Sequence, residues 1–188
     1  MPFTFHLTSV VDVIMVEPAS FGDDRGVFRE MFKSGDFGDS GLPASFVQGN
    51  LSTSRSGVLR GLHYQTNPMA QGKLVSCVGG AIFDVAVDLR IGSPTFGRWT
   101  GEELSLSNGR MLWIPAGFAH GFCVLGTDVD AVVSYSVTEV FSGPHDGGIR
   151  WDDPAIGVEW PIDMPILSAK DRSLPLLADT EPGFQFGS

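Results

Sequence analysis

Two side chains suited to moving a proton lie about ten residues apart in this sequence. His63 lies in "GVLRGLHYQ" (residues 57–65), and Lys73 lies in "QGKLV". A neutral imidazole has a pKa near the working pH, so it can take a proton from carbon. A nearby ammonium can stabilise the enolate that results. This pair therefore indicates proton abstraction next to a carbonyl group.

That chemistry needs two further groups: a carboxylate that orients the imidazole and a proton donor on the opposite side of the substrate. Asp171 in "SAKDRS" and Tyr135 in "VVSYSV" are candidates. From spacing alone, neither is favoured over three other residues, namely Asp84, Asp88 and Tyr64.

Packing and metal binding are two other possible roles for His63 and for a second histidine, His120. Histidine is of intermediate burial, so a core residue with its hydrogen bonds satisfied is the simple interpretation of each. His120 opens a strand in "LWIPAGFAHGFCVL", and this stretch together with "GVLRGLH" resembles the two signature motifs of the cupin superfamily, a jelly-roll barrel. Metal-binding cupins supply His-x-His and a downstream Glu from the first motif. Here Gln65 and Lys73 stand in that region, so we predict no metal.

The elements that carry these residues are short and strand-like. Runs such as "VIMVEP", "KLVSCVGG", "AIFDVAVDL" and "AVVSYSV" are separated by turn residues, and the chain has 24 glycines and 12 prolines. This spacing is typical of an antiparallel sandwich or small barrel. We expect a turn or two of helix near "REMFKSGDF" and another that Ser168 opens in "SAKDRSLPLL". The tail "ADTEPGFQFGS" has no period and is predicted to be loosely held.

Strand alternation predicts which side chains share a face. In "LRGLHYQ", His63 shares a face with Gly61 and Gln65, whereas Arg60 lies on the opposite face. In "AIFDVAVDL" two aspartates lie on one face, where they need water or polar partners.

Composition narrows the class of protein. The 188 residues, 43% hydrophobic and 18% charged, predict one globular domain spanning 1–188. A net charge of −10 argues against nucleic acid or an acidic membrane as a partner. Six of the 12 basic residues fall between positions 25 and 73, so a local site for a small anion is compatible with the acidic whole.

Location and redox state follow from two further features. The chain has no apolar run of spanning length and no basic region before its first apolar stretch, so we predict a cytoplasmic protein. Cys77 and Cys123 lie inside apolar runs without CxxC spacing, which predicts buried free thiols.

Longer stretches carry a more specific resemblance. "DDRGVFRE", "SRSGVLRGLHYQ", "QGKLVSCVGGAIFDVAVDLRIGSPTFGRWTGEELS", "LWIPAGFAHGFCVL" and "GIRWDDPAIGVEWP" resemble the dTDP-4-dehydrorhamnose 3,5-epimerase family along nearly the whole chain. Enzymes of that family are metal-free, cofactor-free cupin homodimers that invert C3 and C5 of dTDP-4-keto-6-deoxyglucose. The resemblance thus implies an all-β jelly roll whose N-terminal strands, within 1–50, are exchanged across a dimer, with 165–188 as a C-terminal tail.

The resemblance also implies catalytic roles. His63 would be the general base, Asp171 would orient it, Lys73 would stabilise the enolate at O4, and Tyr135 would return the proton to the opposite face. The chemistry is coherent because C3 and C5 both flank the C4 ketone, so one enolate-stabilising site serves both steps.

Nucleotide contacts are implied for a larger set of residues. Phe28 and Phe141 resemble the aromatic pair for the thymine ring, where stacking supplies binding. Arg60 and His63 are expected at one ligand despite their opposite strand parity. Either Gly61 allows a bulge, or Arg60 reaches a site across the dimer interface, and the interface is favoured. The other implied contacts are Arg25, Glu30, Gln48, Asn50, His120, Asp146 and Lys170.

One loop departs from the family pattern. After Tyr135 the sequence reads "SVTEVFSGPHDGG" (residues 136–148), without the usual lysine and first aromatic residue and with Asp146 where a glutamate is usual. The loop therefore leaves open an epimerase that inverts only C3 or only C5. Two alternatives that do not depend on the loop are a non-catalytic cupin that binds a nucleotide sugar and a metal-dependent oxygenase, against which Gln65 and Lys73 argue.

Overall fold

The computed structural model describes residues 2–187 and is built almost entirely from antiparallel strands. The strands are β1 (Phe3–Leu7), β2 (Ile14–Pro18), β3 (Ser20–Asp23), β4 (Gly26–Arg29), β5 (Gln48–Ser54), β6 (Leu59–Gln65), β7 (Lys73–Gly79), β8 (Ala81–Asp88), β9 (Trp99–Ser105), β10 (Met111–Ile114), β11 (Phe118–Val124), β12 (Ala131–Val137) and β13 (Asp146–Gly148). The helices are α1 (Ser34–Asp39) and α2 (Ala169–Arg172). The prediction of an all-β jelly roll is confirmed.

Two sheets face each other. One has the order β1-β2-β10-β7-β12-β5, the other has the order β13-β6-β11-β8-β9, and β3 and β4 form a separate hairpin. The main core lies between the sheets, where Val75, Leu112 and Val133 of the first sheet pack with Ile82 and Phe122 of the second. Burying such side chains contributes roughly 1.5–3 kcal/mol each, which is what holds the two layers together.

The second sheet is also covered on its outer face. Val85 and Val87 point there and pack with Ile149, Ile156 and Phe184 from the long C-terminal segment. Because both faces are buried, β8 carries apolar residues at nearly every position.

The prediction of a loosely held tail is wrong. Phe184 is only 4% exposed and packs edge-on against Tyr64, with ring centroids 5.8 Å apart. Phe186 donates its backbone N–H to the Ile91 carbonyl, and its ring lies under the Arg90 guanidinium. The aromatic residues of "GFQFG" therefore anchor a segment that has no periodic pattern of its own.

Several smaller predictions are confirmed. Both short helices are present, and the Ser168 hydroxyl caps α2 by accepting the Asp171 N–H at 3.0 Å. Cys77 and Cys123 are free and buried. Within residues 2–187, no helix has the length and apolar character needed to cross a bilayer.

Strand β6 does not alternate as predicted. Its pairing with β11 shifts register between His120 and Phe122, opposite Gly61, which has φ +133°. This irregularity turns Arg60 toward the same cavity as His63 within a single chain. The favoured prediction, that Arg60 reaches the site across a dimer interface, was wrong, because the bulge brings Arg60 and His63 to one cavity within a single chain.

Gly61 is consequently a position where we expect a large effect on stability. A Cβ there would lie 2.6 Å from the Gly121 Cα, at a φ that L residues rarely adopt. We expect Gly61→Ala to lower the free energy of unfolding by about 1–3 kcal/mol or more and to reduce turnover, because Arg60 and His63 lose their relative placement.

Urea denaturation and initial rates of the same preparation would check this prediction. Gly35→Ala is the matched control, since its Cβ meets nothing within 4 Å and its φ is not positive. Equal stability of the two variants would show that the close approach of β6 and β11 is not needed.

Candidate active site

Two adjoining cavities of about 320 Å³ and 360 Å³ open between the sheets near α2. His63, Lys73, Tyr135 and Lys170 line both of them, so the two form one cleft. Strands β6, β7 and β12 supply the first three of these residues and the segment of α2 supplies the fourth.

His63 and Asp171 form a close pair in this cleft. The His63 Nε2 lies 2.6 Å from the Asp171 Oδ1, although 108 residues separate them in sequence. Asp171 is 3% exposed. Burial alone would raise the pKa of Asp171, but hydrogen bonds from His63 and from the α2 cap lower it overall. A carboxylate held ionised beside an imidazole fixes the ring and stabilises its protonated form, and the second ring nitrogen stays available to a substrate.

A second histidine and aspartate pair lies next to the first. His120 faces His63 directly across β11 and β6, and its Nε2 lies 2.7 Å from the Asp84 Oδ1. Asp84 is fully buried, and its Oδ2 has no hydrogen-bond partner among the described residues. Burial lowers the pKa of His120, against the opposing effect of Asp84. His120 is therefore held neutral, which suits hydrogen bonding better than charge.

The role of Asp84 as the partner of His120 was missed from the sequence. The available signal was the strand pattern of "AIFDVAVDL", which places an aspartate on a face that the core must bury. The other aspartate on that face, Asp88, accepts hydrogen bonds from Arg90, Ser93 and Thr95.

Lys73 extends into the same cleft from the start of β7. Its Nζ lies 3.5 Å from the backbone oxygen of His63. Burial lowers the pKa of Lys73 to about 8, while the carboxylates of Asp84 and Asp146 act in the opposite direction. The side chain is thus charged at neutral pH but loses its proton under mildly alkaline conditions.

Tyr135 lines both cavities from β12, where it pairs with Asn50 of β5 and Val75 of β7. Burial raises the pKa of its phenol, partly offset by the charge of Arg60. A phenol with a raised pKa keeps its proton at neutral pH, as a proton donor must.

Several of the predicted nucleotide-binding residues lie in the cleft. Arg60 is held by its Nε, which donates to the Ser54 hydroxyl at 2.8 Å. Lys170 forms an ion pair with Asp146. The remaining members of this group that line the cleft are Gln48, Asn50, His120 and Phe141.

Three predicted residues are not in the cleft of this chain. Arg25 and Phe28 lie on the β3–β4 hairpin, and Glu30 follows it, outside the residues that line the two cavities. Phe28 is 65% exposed and lies beside Phe21. The two rings expected around the thymine, Phe28 and Phe141, therefore do not line one cleft within a single chain.

Other lining residues were not predicted to be contacts of the ligand. Strand alternation groups residues such as Asn50, Ser52 and Ser54 on one face, but it does not tell which face meets a cavity. They are Ser52, Gly121, Phe122 and Ser168 in the first cavity and Tyr64, Gln65 and Gln71 in the second. Among residues 2–187, no group of three or more His, Cys, Asp or Glu side chains is arranged to hold a metal ion.

Comparison with known proteins agrees with this architecture. The dTDP-4-dehydrorhamnose 3,5-epimerase family profile matches residues 7–179. A Sinorhizobium fredii protein named dTDP-4-dehydrorhamnose 3,5-epimerase is 50% identical over 97% of this chain and 93% of its own length. A Streptomyces niveus protein named dTDP-4-dehydrorhamnose 3-epimerase is 38% identical over 87% of this chain and 79% of its own length.

A solved structure agrees with the sequence comparisons. The Legionella pneumophila dTDP-6-deoxy-D-glucose-3,5-epimerase in complex with dTDP-4-keto-L-rhamnose superposes with a TM-score of 0.93 at 40% identity, covering 99% of this chain and 100% of that one. The chain described here, an isomerase-type enzyme of cupin fold, therefore belongs to the dTDP-4-dehydrorhamnose 3,5-epimerase family.

Proposed function

We propose that this enzyme inverts both C3 and C5 of dTDP-4-keto-6-deoxyglucose. The observation that carries the proposal is the His63–Asp171 pair, which lines one cleft together with Lys73 and Tyr135. A binding protein for a nucleotide sugar has no need of an imidazole oriented by a buried carboxylate.

In each half of the reaction His63 takes the proton from the carbon next to the C4 ketone. The charge that develops on O4 is stabilised by the Lys73 ammonium. Tyr135 then donates its proton to the other face of the same carbon, which inverts that centre. His63 has gained a proton and Tyr135 has lost one, so both exchange with water before the second inversion. The reaction involves no net oxidation and therefore needs no redox cofactor.

Basic side chains account for recognition of the diphosphate. Arg60 offers a planar guanidinium that can donate two hydrogen bonds to phosphate oxygens, and Lys170 adds a second charge. Phe141, which lines the second cavity and is 61% exposed, would stack on the thymine ring.

We propose further that the active form is a homodimer. Arg25, Phe28 and Glu30 are on or beside an exposed hairpin, and Phe28 and Phe21 present large apolar side chains to solvent. Contribution of this hairpin to the cleft of a second copy would bury those rings and complete the site with a second aromatic residue.

Isotope exchange tests the reaction. We expect proton NMR of dTDP-4-keto-6-deoxyglucose, incubated with the enzyme in heavy water, to show deuterium at both C3 and C5. Label at C3 alone would instead assign the activity that the Streptomyces niveus relative is named for. Label at neither carbon, with dTDP still bound, would favour the non-catalytic alternative.

A further inference from the structure

The loop after Tyr135 combines an exposed surface with a tightly held backbone. Val140 and Phe141 are 44% and 61% exposed, yet the backbone of residues 139–142 is hydrogen-bonded at every position. The bonding groups are the side chains of three glutamines, Gln48, Gln65 and Gln71, which we call the glutamine cradle.

The contacts of the cradle follow the loop residue by residue. Gln71 Nε2 donates to the Glu139 carbonyl at 2.5 Å, and Gln65 Nε2 donates to the Val140 carbonyl at 3.1 Å. Gln48 Oε1 accepts the Phe141 N–H at 2.9 Å, and Gln65 Oε1 accepts the Ser142 N–H at 2.6 Å. Gln65 thus uses both the donor and the acceptor of its amide group on the loop.

The three glutamines come from three separate parts of the chain. Gln48 begins β5, Gln65 ends β6, and Gln71 precedes β7. Gln65 and Gln71 are each two positions from a proposed catalytic residue, His63 and Lys73 respectively. The loop is therefore tied to the same strands that hold the base and the enolate-stabilising group.

Holding an exposed loop in this way has a cost and a use. Fixing a backbone residue costs conformational entropy, and a loop ordered during folding does not incur that cost again when a ligand binds. The side chains of Val140 and Phe141 are exposed and gain little from burial. The fixed backbone therefore holds these side chains in position for a ligand that contacts them.

We propose that the glutamine cradle is a set of positioning residues that pre-organises Phe141 to stack on the nucleotide base. The inference rests on the proposed function, in which Phe141 meets the thymine ring of dTDP. In this proposal Gln65 and Gln71 act by holding the loop backbone. The same bonds explain how a loop that departs from the family pattern keeps Phe141 in place.

Calorimetric titration with dTDP and with inorganic pyrophosphate would test the proposal. We expect Phe141→Ala to weaken dTDP binding about tenfold and Gln71→Leu to weaken it about three- to tenfold, because base stacking is the interaction lost. Pyrophosphate, which has no base, should bind both variants as it binds the parent. Gln71 is the first choice because it is half-buried and makes one bond to the loop. Gln65 is buried and makes two bonds to the loop and a third to the Met69 carbonyl.

The double variant separates action through Phe141 from direct contact with the ligand. In the Phe141→Ala background, Gln71→Leu should cause no further loss of dTDP affinity. A further loss would overturn the proposal, because it would mean that Gln71 acts on the ligand itself. The proposal would also be overturned if Gln71→Leu weakened pyrophosphate binding as much as it weakened dTDP binding.

Two results distinguish this inference from the proposed function. If Phe141→Ala weakens dTDP binding but Gln71→Leu does not, the cradle is not needed and the assignment of the base to Phe141 stands. If Phe141→Ala has no effect, that assignment fails and the cradle inference fails with it. Ser93→Ala is the control for loss of side-chain bonds elsewhere, since Ser93 bonds Asp88 and Thr95 outside the cleft and should leave both affinities unchanged.

Discussion

Replacing His63 by asparagine is expected to slow deuterium uptake at both C3 and C5 by about 10²- to 10⁴-fold, the range typical of a lost general base. Asparagine keeps a polar side chain beside Asp171 but has no basic nitrogen that can take a proton from carbon. Binding of dTDP should be unchanged, because the proposed nucleotide contacts come from other residues. Exchange rates from NMR and affinities from calorimetry would be measured on the same variant.

His120→Asn is the matched control, since His120 is the other histidine of the cleft with a carboxylate at hydrogen-bond distance. Burial holds His120 neutral, and His120 is expected to contact the ligand. His120→Asn should therefore reduce the affinity for dTDP more than the rate of deuterium exchange. If His120→Asn stops exchange and His63→Asn does not, the roles of the two pairs must be reversed. Loss of label at only one carbon in His63→Asn would mean that a second base serves the other.

The alkaline side of the pH profile should report Lys73. Since burial lowers the pKa of Lys73 to about 8, the free enzyme loses the ammonium as pH rises through that value. We therefore expect kcat/KM to fall as pH rises through about 8, because kcat/KM reports ionisations of the free enzyme. Tyr135, with a raised pKa, stays protonated through this range and cannot account for the decline.

Two substitutions at this position sharpen the prediction. Lys73→Met should reduce kcat/KM by about 10²- to 10³-fold at neutral pH, as expected when a group that stabilises the developing oxyanion is removed, and it should flatten the alkaline side. Lys73→Arg keeps a charge that is not lost below pH 12, so its residual activity should not decline near pH 8. A decline at the same pH in Lys73→Arg would assign the ionisation to another group.

Local sequence patterns anticipated the elements better than the details of their contacts. The recurring strand segments, the capped turn at Ser168 and the apolar setting of both cysteines all follow from neighbours within a few residues, and the structure agrees with them. Strict alternation failed at Gly61, because the local sequence does not show that β11 approaches too closely there for any side chain. The tail was judged by its lack of period, although its two phenylalanines are anchored by residues as distant as Tyr64 and Arg90.

The sequence by itself determined the all-β class, the family, and the residue types available for proton transfer, because strand alternation, turn residues and long motifs are properties of neighbouring positions. Only the tertiary structure decided which of the candidate carboxylates pairs with which histidine. Asp171 meets His63 across 108 positions, and Asp84 turns instead to His120. It also decided that Arg25, Phe28 and Glu30 lie outside the cleft of their own chain. The physical reason is that these placements depend on sheet packing and register, which bring together segments that share no local pattern.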